Sequence, residues 1–428
     1  MQNPRILCAE ILQAILEDKV FFSDLKEQIK EENRAFANQL VLGALRYFVP
    51  LNKILARFLK KKIPHKHLLA NYLLLLAIYE LAEMKTPQYA VLNTTVKNIR
   101  TVSDSFLAGM ANAVLRNVCK NLENIKSDMA QISKIPPEFK EILKGYEKEQ
   151  IKKIADCLSA PAPVDLTVKE NHKIRAEKLN AKILPNGTLR LESLKKISQA
   201  EGFVEGCWWV QDVAASLPAL TAGNLCGKTV ADLCAAPGGK TAQLALTADK
   251  VFAFDISSSR LEKLKENMAR LHLSEKVVMI NADAAEYCEK NPQQKFDVVL
   301  LDAPCSATGT MRRHPEVLHI KTTEDVKAQV SEQRKLLKAA ANSLKKGGIL
   351  IYSVCSIAKA EGEEQIERFL NENDNFKVVK ITDDEISAFG KWTDELIYEN
   401  GMVRTLPFYA QNIGGMDAFF ICKLQKIN

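Results

Sequence analysis

The fold is decided by residues 229–241, which read Thr-Val-Ala-Asp-Leu-Cys-Ala-Ala-Pro-Gly-Gly-Lys-Thr. Residues 230–233 form a short apolar run, which is typical of a buried strand. A helical pattern begins at residue 239, the second of two glycines that allow the backbone to approach a ligand closely. The free N–H groups at such a helix start can receive polar or anionic groups. The stretch is not the phosphate-binding pattern G-x-x-x-x-G-K, because Cys234 stands where that pattern requires its first glycine.

Strand and helix patterns alternate through the C-terminal half of the chain. Apolar runs predict strands at 230–233, 251–254, 277–280, 296–301, 349–352 and 418–423. Helical patterns lie between them at 239–247, 258–272, 325–344 and 361–371. Because parallel strands need crossover connections, this alternation predicts a Rossmann-like α/β domain with a mainly parallel sheet.

Three acidic residues stand at or just past the ends of predicted strands. Asp255 ends the second strand, Asp283 follows the third, and Asp302 follows the fourth. The carboxyl ends of parallel strands meet at one edge of the sheet, where doubly wound folds bind ligands. An acidic side chain at this edge can accept hydrogen bonds from ribose hydroxyls. Each aspartate alone is also typical of a helix N-cap. Three of them in register with the glycine-rich loop favour a site for a nucleotide-like ligand.

The N-terminal third has a helical pattern throughout. From residue 5 to about residue 121 apolar residues recur at three- and four-residue spacing, and Pro50, Pro64 and Pro87 separate the blocks. The pattern predicts five to seven helices in an all-α bundle. Residues 1–130 carry 18 basic and 12 acidic side chains, which accounts for most of the net charge of +7. This concentration is typical of polyanion binding, with a solvated basic helical surface as the alternative.

A polar stretch from 121 to 134, followed by Pro136 and Pro137, marks a boundary. The segment beyond it mixes short patterns, with helices predicted at 138–160 and 174–179 and strands at 164–168 and 189–191. We therefore expect three parts, namely a helical domain at 1–130, a small α+β adaptor at 131–222 and the α/β domain at 223–428.

Composition argues against two classes of protein. The longest purely apolar run, 72–79, is far shorter than the roughly twenty residues of a membrane span. The N-terminus leads into an amphipathic pattern rather than a signal peptide, so we expect a soluble, cytoplasmic protein with no membrane partner. None of the ten cysteines forms a C-x-x-C pair or has zinc-ligand spacing, so we expect mostly reduced thiols and no metal.

Two cysteines lie at the ends of predicted strands. Cys305 follows Asp302, Ala303 and Pro304, and Cys355 follows the strand at 349–352. Paired thiols beside an adenosine-type pocket suit methyl transfer to carbon 5 of a pyrimidine, which becomes reactive when a thiolate adds at carbon 6. A carboxylate near ring nitrogen 3 would favour protonation there, and a second cysteine or a water would take the carbon 5 proton.

Residues 232–241, 302–306 and 352–356 resemble motifs of the Sun-type RNA 5-methylcytosine methyltransferases, as do 210–212 and 307–316. The resemblance implies S-adenosylmethionine as the methyl donor. It implies Cys355 as the nucleophile, Cys305 as an aid to product release, and Asp302 as a catalytic residue that contacts the donor and faces the cytosine. Further donor contacts are implied for Cys234, Ala235, Ala236, Pro237, Gly238, Gly239, Lys240, Asp255 and Asp283.

The helical block resembles a NusB-like RNA-binding domain through residues 42–47, Leu-Gly-Ala-Leu-Arg-Tyr, and 112–117, Asn-Ala-Val-Leu-Arg-Asn. A NusB-like domain ahead of such a catalytic domain is the layout of a bacterial branch of the family that methylates 16S rRNA. We expect a monomer, because the RNA-binding surface is already supplied by the same chain. RNA contacts are expected at Arg46, Lys60, Lys61, Lys62, Arg116, Arg312, Arg313 and His314.

Four alternatives stay open. In DNA cytosine methyltransferases the cysteine after proline attacks, which would make Cys305 the nucleophile and Cys355 structural. The substrate could be tRNA or another rRNA site. The chain could also be an assembly factor that binds RNA without catalysis, or a methyltransferase for a small molecule.

Overall fold

The computed structural model describes residues 3–194 and 196–427. Its α-helices, in chain order, are α1 Pro4–Asp18, α2 Phe22–Leu25, α3 Glu31–Arg46, α4 Phe48–Phe58, α5 Leu68–Glu83, α6 Gln88–Val102, α7 Ser105–Lys120, α8 Leu122–Gln131, α9 Lys148–Cys157, α10 His172–Leu179, α11 Val213–Leu220, α12 Gly239–Thr247, α13 Ser258–Arg270, α14 Ala284–Lys290, α15 Val317–Ile320, α16 Thr323–Asn342, α17 Glu363–Glu372 and α18 Asp383–Ile386.

The strands confirm the predicted alternation. They are β1 Val164–Val168, β2 Lys182–Ile183, β3 Leu189–Leu191, β4 Trp208–Val210, β5 Thr229–Leu233, β6 Lys250–Asp255, β7 Val277–Asn281, β8 Phe296–Asp302, β9 Leu344–Val354, β10 Phe376–Val378, β11 Val403–Thr405 and β12 Phe419–Lys426. All six strands predicted for the C-terminal half and both predicted for the adaptor are present. The sequence patterns missed β2, β4, β10 and β11, which have only two or three residues each.

The chain folds into two compact units. The helical unit comprises the residues up to Glu141, Tyr146–Pro161 and Met311–Lys321. The sheet unit comprises Ile142–Gly145, Ala162–Thr310 and the chain from Thr322 onward. The strands of the predicted adaptor thus belong to the sheet unit, and the division into three parts at 130 and 222 stays a prediction.

The helical unit is the all-α bundle expected from its periodicity. The described residues up to Gln131 contain seven helices of ten or more residues and the one-turn α2. Helix α5 is apolar on nearly every side, so it lies within the core, where Leu74, Leu75 and Ile78 are fully buried. Glu80 is buried in the same helix and accepts hydrogen bonds from Arg5 Nε at 2.9 Å and Nη2 at 2.5 Å. None of the described helices is both long and apolar enough to cross a membrane.

The expectation that Pro50 separates two helices is wrong. Pro50 lies in the first turn of α4, where backbone N–H groups have no intrahelical acceptor and proline is tolerated. Pro64 and Pro87 do precede helical segments, as predicted, with Pro87 at the N-cap of α6.

A small antiparallel sheet, in the order β2-β3-β1-β4, forms the first part of the sheet unit. Asp165 of β1 lies opposite Arg190 of β3, and the two buried side chains form a paired contact at 2.7 and 2.6 Å. Arg190 Nη1 also donates to the Gly415 carbonyl at 2.6 Å. The bidentate pair joins β1 to β3, and the bond to Gly415 links the small sheet to the segment that precedes β12.

The large sheet has the order β10-β12-β9-β8-β5-β6-β7, with β11 beside β12. Strands β9, β8, β5, β6 and β7 are parallel, and β10, β11 and β12 pair antiparallel. From β5 the chain moves outward through β6 and β7, and it then returns to place β8 and β9 on the other side. Ligands of doubly wound folds bind at the carboxyl ends of the strands beside such a reversal. A ligand site is therefore expected at the carboxyl ends of β5, β6, β8 and β9.

Candidate active site

The loop after β5 is held in a strained, close-packed conformation. Cys234 has φ of 66°, and Gly238, the N-cap of α12, has φ of 102°. The Gly238 N–H donates to the Ala235 carbonyl at 2.9 Å and closes a turn. A Cβ added at Gly238 would lie 3.0 Å from Leu264 Cγ and 3.2 Å from Met268 Cε. Both the backbone conformation and the packing therefore require glycine at this position.

Asp255, at the end of β6, fixes this loop from the neighbouring strand. One carboxylate oxygen accepts the Ala236 N–H at 3.1 Å, and the other accepts the Ser257 N–H at 3.0 Å. Arg260 lies 3.5 Å from the same carboxylate and donates to the Ala236 carbonyl. The predicted ligand acid thus supports the loop through backbone hydrogen bonds.

Asp232 is a site residue that the sequence analysis did not single out. It lies in β5, is 1% exposed, and accepts a hydrogen bond from Thr241 Oγ1 at 2.6 Å. Its Oδ1 is buried and has no hydrogen-bond partner among the described residues. Burial raises the pKa of Asp232 to about 7, although Thr241 opposes the shift. Its place inside the strand–loop motif was the available signal.

Asp302, at the end of β8, forms the centre of a polar contact group. Lys240 Nζ lies 2.7 Å from one carboxylate oxygen, and Ser353 Oγ donates to the other at 2.8 Å. The ammonium group also lies 5.1 Å from the centre of the Phe419 ring. The Asp302 side chain is 30% exposed, so a ligand can reach this ion pair.

Asp283 lies farther out along the sheet. It caps α14 after the edge strand β7, where its Oδ1 accepts the Ala285 and Glu286 N–H groups at 2.8 and 3.1 Å. This is the helix-capping role that the sequence left open for each aspartate. The contact of Asp283 with a methyl donor stays a prediction.

Cys305 and Cys355 come together at the carboxyl ends of β8 and β9. Their Sγ atoms lie 3.2 Å apart, and both thiols are free and half-buried. The Gly309 N–H donates to the Cys355 carbonyl at 3.0 Å, which ties the loop after Cys305 to the loop after β9. The hydrogen bond with Cys355, together with burial, raises the pKa of Cys305 well above its ordinary value. The two thiols therefore share one hydrogen bond, which either sulfur can donate.

Desolvation raises the pKa of three thiols outside this pair. Cys234 in the glycine-rich loop has a raised pKa, mainly because it is desolvated. Cys8 and Cys422 are buried in the cores of their units, and burial likewise raises their pKa values. Inert thiols of this kind are the usual state of buried cysteine.

The basic residues predicted to bind RNA fall into two groups, all in the helical unit. Lys60, Lys61, Lys62 and Arg116 are exposed, and Arg313 and His314 are half-buried. Arg46 and Arg312 are buried, and Arg46 Nη2 donates to the Arg312 carbonyl at 3.1 Å. Their burial speaks against direct contact of these two side chains with RNA phosphate, and the other contacts stay predictions.

Comparison with known proteins agrees with both halves of the chain. Residues 224–425 match the family model of the 16S rRNA methyltransferase RsmB/F, and residues 2–120 match the NusB family. The ribosomal RNA small subunit methyltransferase B of Vibrio vulnificus is 33% identical over 395 residues, which is 86% of this chain and 91% of that protein. The protein of the same name from Vibrio cholerae is 32% identical over 375 residues, 83% of this chain and 85% of its own length.

Two solved structures share the fold. The crystal structure of PH0851 has a TM-score of 0.74 at 20% identity and covers 100% of this chain and 99% of its own. A methyltransferase homologue from Pyrococcus horikoshii has a TM-score of 0.53 at 26% identity and covers 68% of this chain and 99% of its own. With the glycine-rich loop, the paired thiols and the helical bundle in place, the chain belongs to the RsmB/F family of 16S rRNA methyltransferases and carries a NusB-family domain.

Proposed function

We propose that this methyltransferase transfers a methyl group from S-adenosylmethionine to carbon 5 of a cytidine in 16S rRNA, through a covalent bond between Cys355 and carbon 6. The observation that carries the proposal is the 3.2 Å separation of the Cys355 and Cys305 sulfurs at the carboxyl ends of β8 and β9. Both relatives from Vibrio bear the name of small-subunit rRNA methyltransferases, which supports rRNA as the substrate.

The residues around the loop fit a cationic methyl donor. The charges of Asp255 and Asp302 contribute to the raised pKa of Asp232, and all three carboxylates contribute to the raised pKa of Cys234, so the three lie close together. A sulfonium ligand would bring positive charge to these carboxylates. One of them, Asp232, has a buried oxygen with no hydrogen-bond partner in the described part of the chain. Ile256, 70% exposed directly after Asp255, offers an apolar surface for a base. When bound, S-adenosylmethionine would supply an electrophilic methyl group.

The hydrogen bond between the thiols supports Cys355 as the attacking residue. In this proposal Cys305, whose pKa is raised above its ordinary value, donates the hydrogen bond across the 3.2 Å between the two sulfurs. A hydrogen bond donated to Cys355 Sγ stabilises that sulfur as a thiolate, which is the nucleophilic form. If Cys305 were the attacking residue, Cys355 would have to donate the hydrogen bond to the sulfur of Cys305.

The Cys355 thiolate would add to carbon 6, which makes carbon 5 nucleophilic. Carbon 5 would then take the methyl group, the sulfur–methyl bond of the donor would break, and its electron pair would stay on sulfur to leave S-adenosylhomocysteine. A base removes the carbon 5 proton, the electron pair reforms the 5,6 double bond, and the bond from Cys355 to carbon 6 breaks. Cys305 assists this release by donating its hydrogen bond to the departing sulfur, and water accepts the carbon 5 proton.

Asp302 and Lys240 bind and orient the base in this proposal. A carboxylate near ring nitrogen 3 favours protonation there and stabilises the adduct. Lys240 and Ser353 hold the Asp302 carboxylate from both oxygens, so its position is fixed before the substrate arrives. The target cytidine must leave its stack to reach Cys355, so an unpaired loop is the expected substrate.

Labelled methyl transfer tests the proposal. The protein is incubated with methyl-labelled S-adenosylmethionine and deproteinised 16S rRNA, and the digested nucleosides are examined for labelled 5-methylcytidine. Matched reactions with tRNA and with RNA-free protein test the alternative substrates. Label in tRNA alone, or in a base other than cytidine, would contradict the proposal.

The cysteine variants test the covalent step. Cys355→Ala should lose turnover, whereas Cys305→Ala should accumulate a covalent protein–RNA adduct that survives a denaturing gel. The reverse pattern would make Cys305 the nucleophile. Wild-type protein that neither binds S-adenosylmethionine in calorimetry nor methylates rRNA would favour a role in binding alone.

A further inference from the structure

Glu361 is a buried carboxylate for which the proposed reaction has no use. It ends a short 3-10 turn, Lys359–Glu361, just before α17, and it is 0% exposed. A glutamate is almost never fully buried unless hydrogen bonds or a counter-charge compensate for the lost hydration. Three of the four compensating side-chain contacts come from the two loops that carry the paired cysteines.

Four donors converge on the two Glu361 oxygens. Oε1 accepts the Ser306 N–H at 2.8 Å and Gln333 Nε2 at 3.0 Å. Oε2 accepts the Ser306 hydroxyl at 2.5 Å and the Ser356 hydroxyl. The Glu361 carbonyl accepts the Tyr352 hydroxyl at 2.6 Å, so the backbone of the turn is fixed as well.

The two serines directly follow the two cysteines in the chain. Ser306 follows Cys305, and Ser356 follows Cys355. Their hydroxyls lie 3.3 Å apart, and Thr308 Oγ1 lies within 3.0 Å of each. A single carboxylate therefore joins the backbones on which both reacting thiols are mounted.

We propose that Glu361 is a positioning residue that sets the distance between Cys305 and Cys355 by holding Ser306 and Ser356 together. The effect of this positioning on catalysis rests on the proposed function. The positioning of the two thiols does not depend on that function. Gln333 extends the same restraint, because its amide also donates to the Pro304 carbonyl at 3.0 Å. Glu361 touches no reacting atom and acts through the serines.

Thiol cross-linking measures this distance without RNA or donor. Diamide converts the two thiols to a disulfide and is itself reduced to the hydrazide, so it takes up both electrons and both protons. Peptide mapping measures the fraction of protein with a disulfide between Cys305 and Cys355. The Cys305→Ala variant, which cannot form this disulfide, gives the background signal. We expect Glu361→Gln to slow bridging by at least about tenfold. Its NH2 group replaces a carboxylate oxygen that accepts two of the four hydrogen bonds, and each hydrogen bond to a charged group contributes about tenfold or more.

Charge loss alone would act in the opposite direction. The Glu361 charge contributes to the raised pKa of Cys305, so its removal would make that thiol more reactive. Slower bridging therefore reports on geometry. Glu364→Gln is the matched control, because Glu364 is exposed in the first turn of α17, three residues after Glu361. In this variant Cys305 and Cys355 should form the disulfide at the wild-type rate.

A conservative variant keeps the test informative. Glu361→Asp retains both oxygens but is one methylene shorter, so it should bridge more slowly than wild type and faster than Glu361→Gln. It also carries the test if Glu361→Gln does not fold, as judged by circular dichroism. Folded variants that bridge at the wild-type rate would overturn the proposal.

The activity measurement separates the two proposals. With labelled donor and rRNA, Glu361→Gln should lower kcat, leave the KM for S-adenosylmethionine unchanged, and raise the fraction of enzyme trapped as RNA adduct. If Glu361→Gln forms the disulfide slowly and the wild type methylates no cytidine, the positioning role is supported and the proposed function is refuted. Wild-type kcat and adduct levels in a variant with slow bridging would refute the catalytic consequence.

Discussion

Replacing Gly238 by alanine tests whether the loop after β5 depends on glycine for the reasons given by its geometry. At φ of 102° an L-residue is strained by about 1–2 kcal/mol. The added Cβ would also press on Leu264 and Met268 at 3.0 and 3.2 Å, and both side chains are fully buried. Overpacking of this kind costs about 1–3 kcal/mol.

Gly227→Ala is the matched control. Gly227 has φ of 72°, and a Cβ there would meet nothing within 4 Å, so this variant carries the backbone strain without the crowding. The difference between the two variants should therefore be about 2 kcal/mol. For a domain of this size that is a fall in melting temperature of roughly 4–8 °C, which scanning calorimetry resolves.

The strain can also be relieved by movement of the loop. In that case Gly238→Ala would bind S-adenosylmethionine more weakly in titration calorimetry. The Kd would rise about tenfold for each 1.4 kcal/mol of binding free energy that the displaced loop loses. Gly227→Ala should bind the donor as wild type does. The reasoning is refuted if the two variants melt at the same temperature and bind the donor equally.

Two further predictions concern charge. Because burial raises the pKa of Asp232 from its ordinary 3.8 to about 7, its contribution to stability is fully present below pH 4 and lost as the pH rises toward 7. Asp232→Asn should therefore gain stability relative to wild type by at most about 4 kcal/mol between pH 4 and 8, and parallel denaturation curves would disprove this. Exchange of Lys60, Lys61 and Lys62 for glutamine should reduce the slope of log K against log salt for rRNA binding by about 2, and an unchanged slope would exclude contacts of these lysines with phosphate.

The alternation of apolar runs and helical patterns was sufficient to predict the large sheet. Strands β5, β6, β7 and β8 lie within one residue of their predicted bounds at either end, because continuous apolar runs between glycines and charged residues have few other structures open to them. The three-residue strands β10 and β11 were missed. Their pairing with β12 depends on neighbours that are distant in sequence.

The candidate site was predictable in part. Asp255, Asp302 and the two cysteines stand at strand ends, and parallel strands must bring those ends to one edge. The burial of Arg46 and Arg312 could not be predicted from their charge, since it depends on the packing of Met311–Lys321 within the helical unit. Asp283 likewise caps a helix, and its strand-end position alone could not distinguish capping from binding a ligand.

The sequence by itself determined the class of fold, the order of its elements and the chemical groups available at the edge of the sheet, because periodicity and strand-end position are local properties of the chain. Only the tertiary structure decided the 3.2 Å distance between the sulfurs of Cys305 and Cys355 and the burial of Glu361 between their loops. Cys305 and Cys355 are 50 positions apart, Ser306 and Glu361 are 55 positions apart, and no spacing rule relates them. Their contacts exist because β8 and β9 pair in register, which places the two loops side by side.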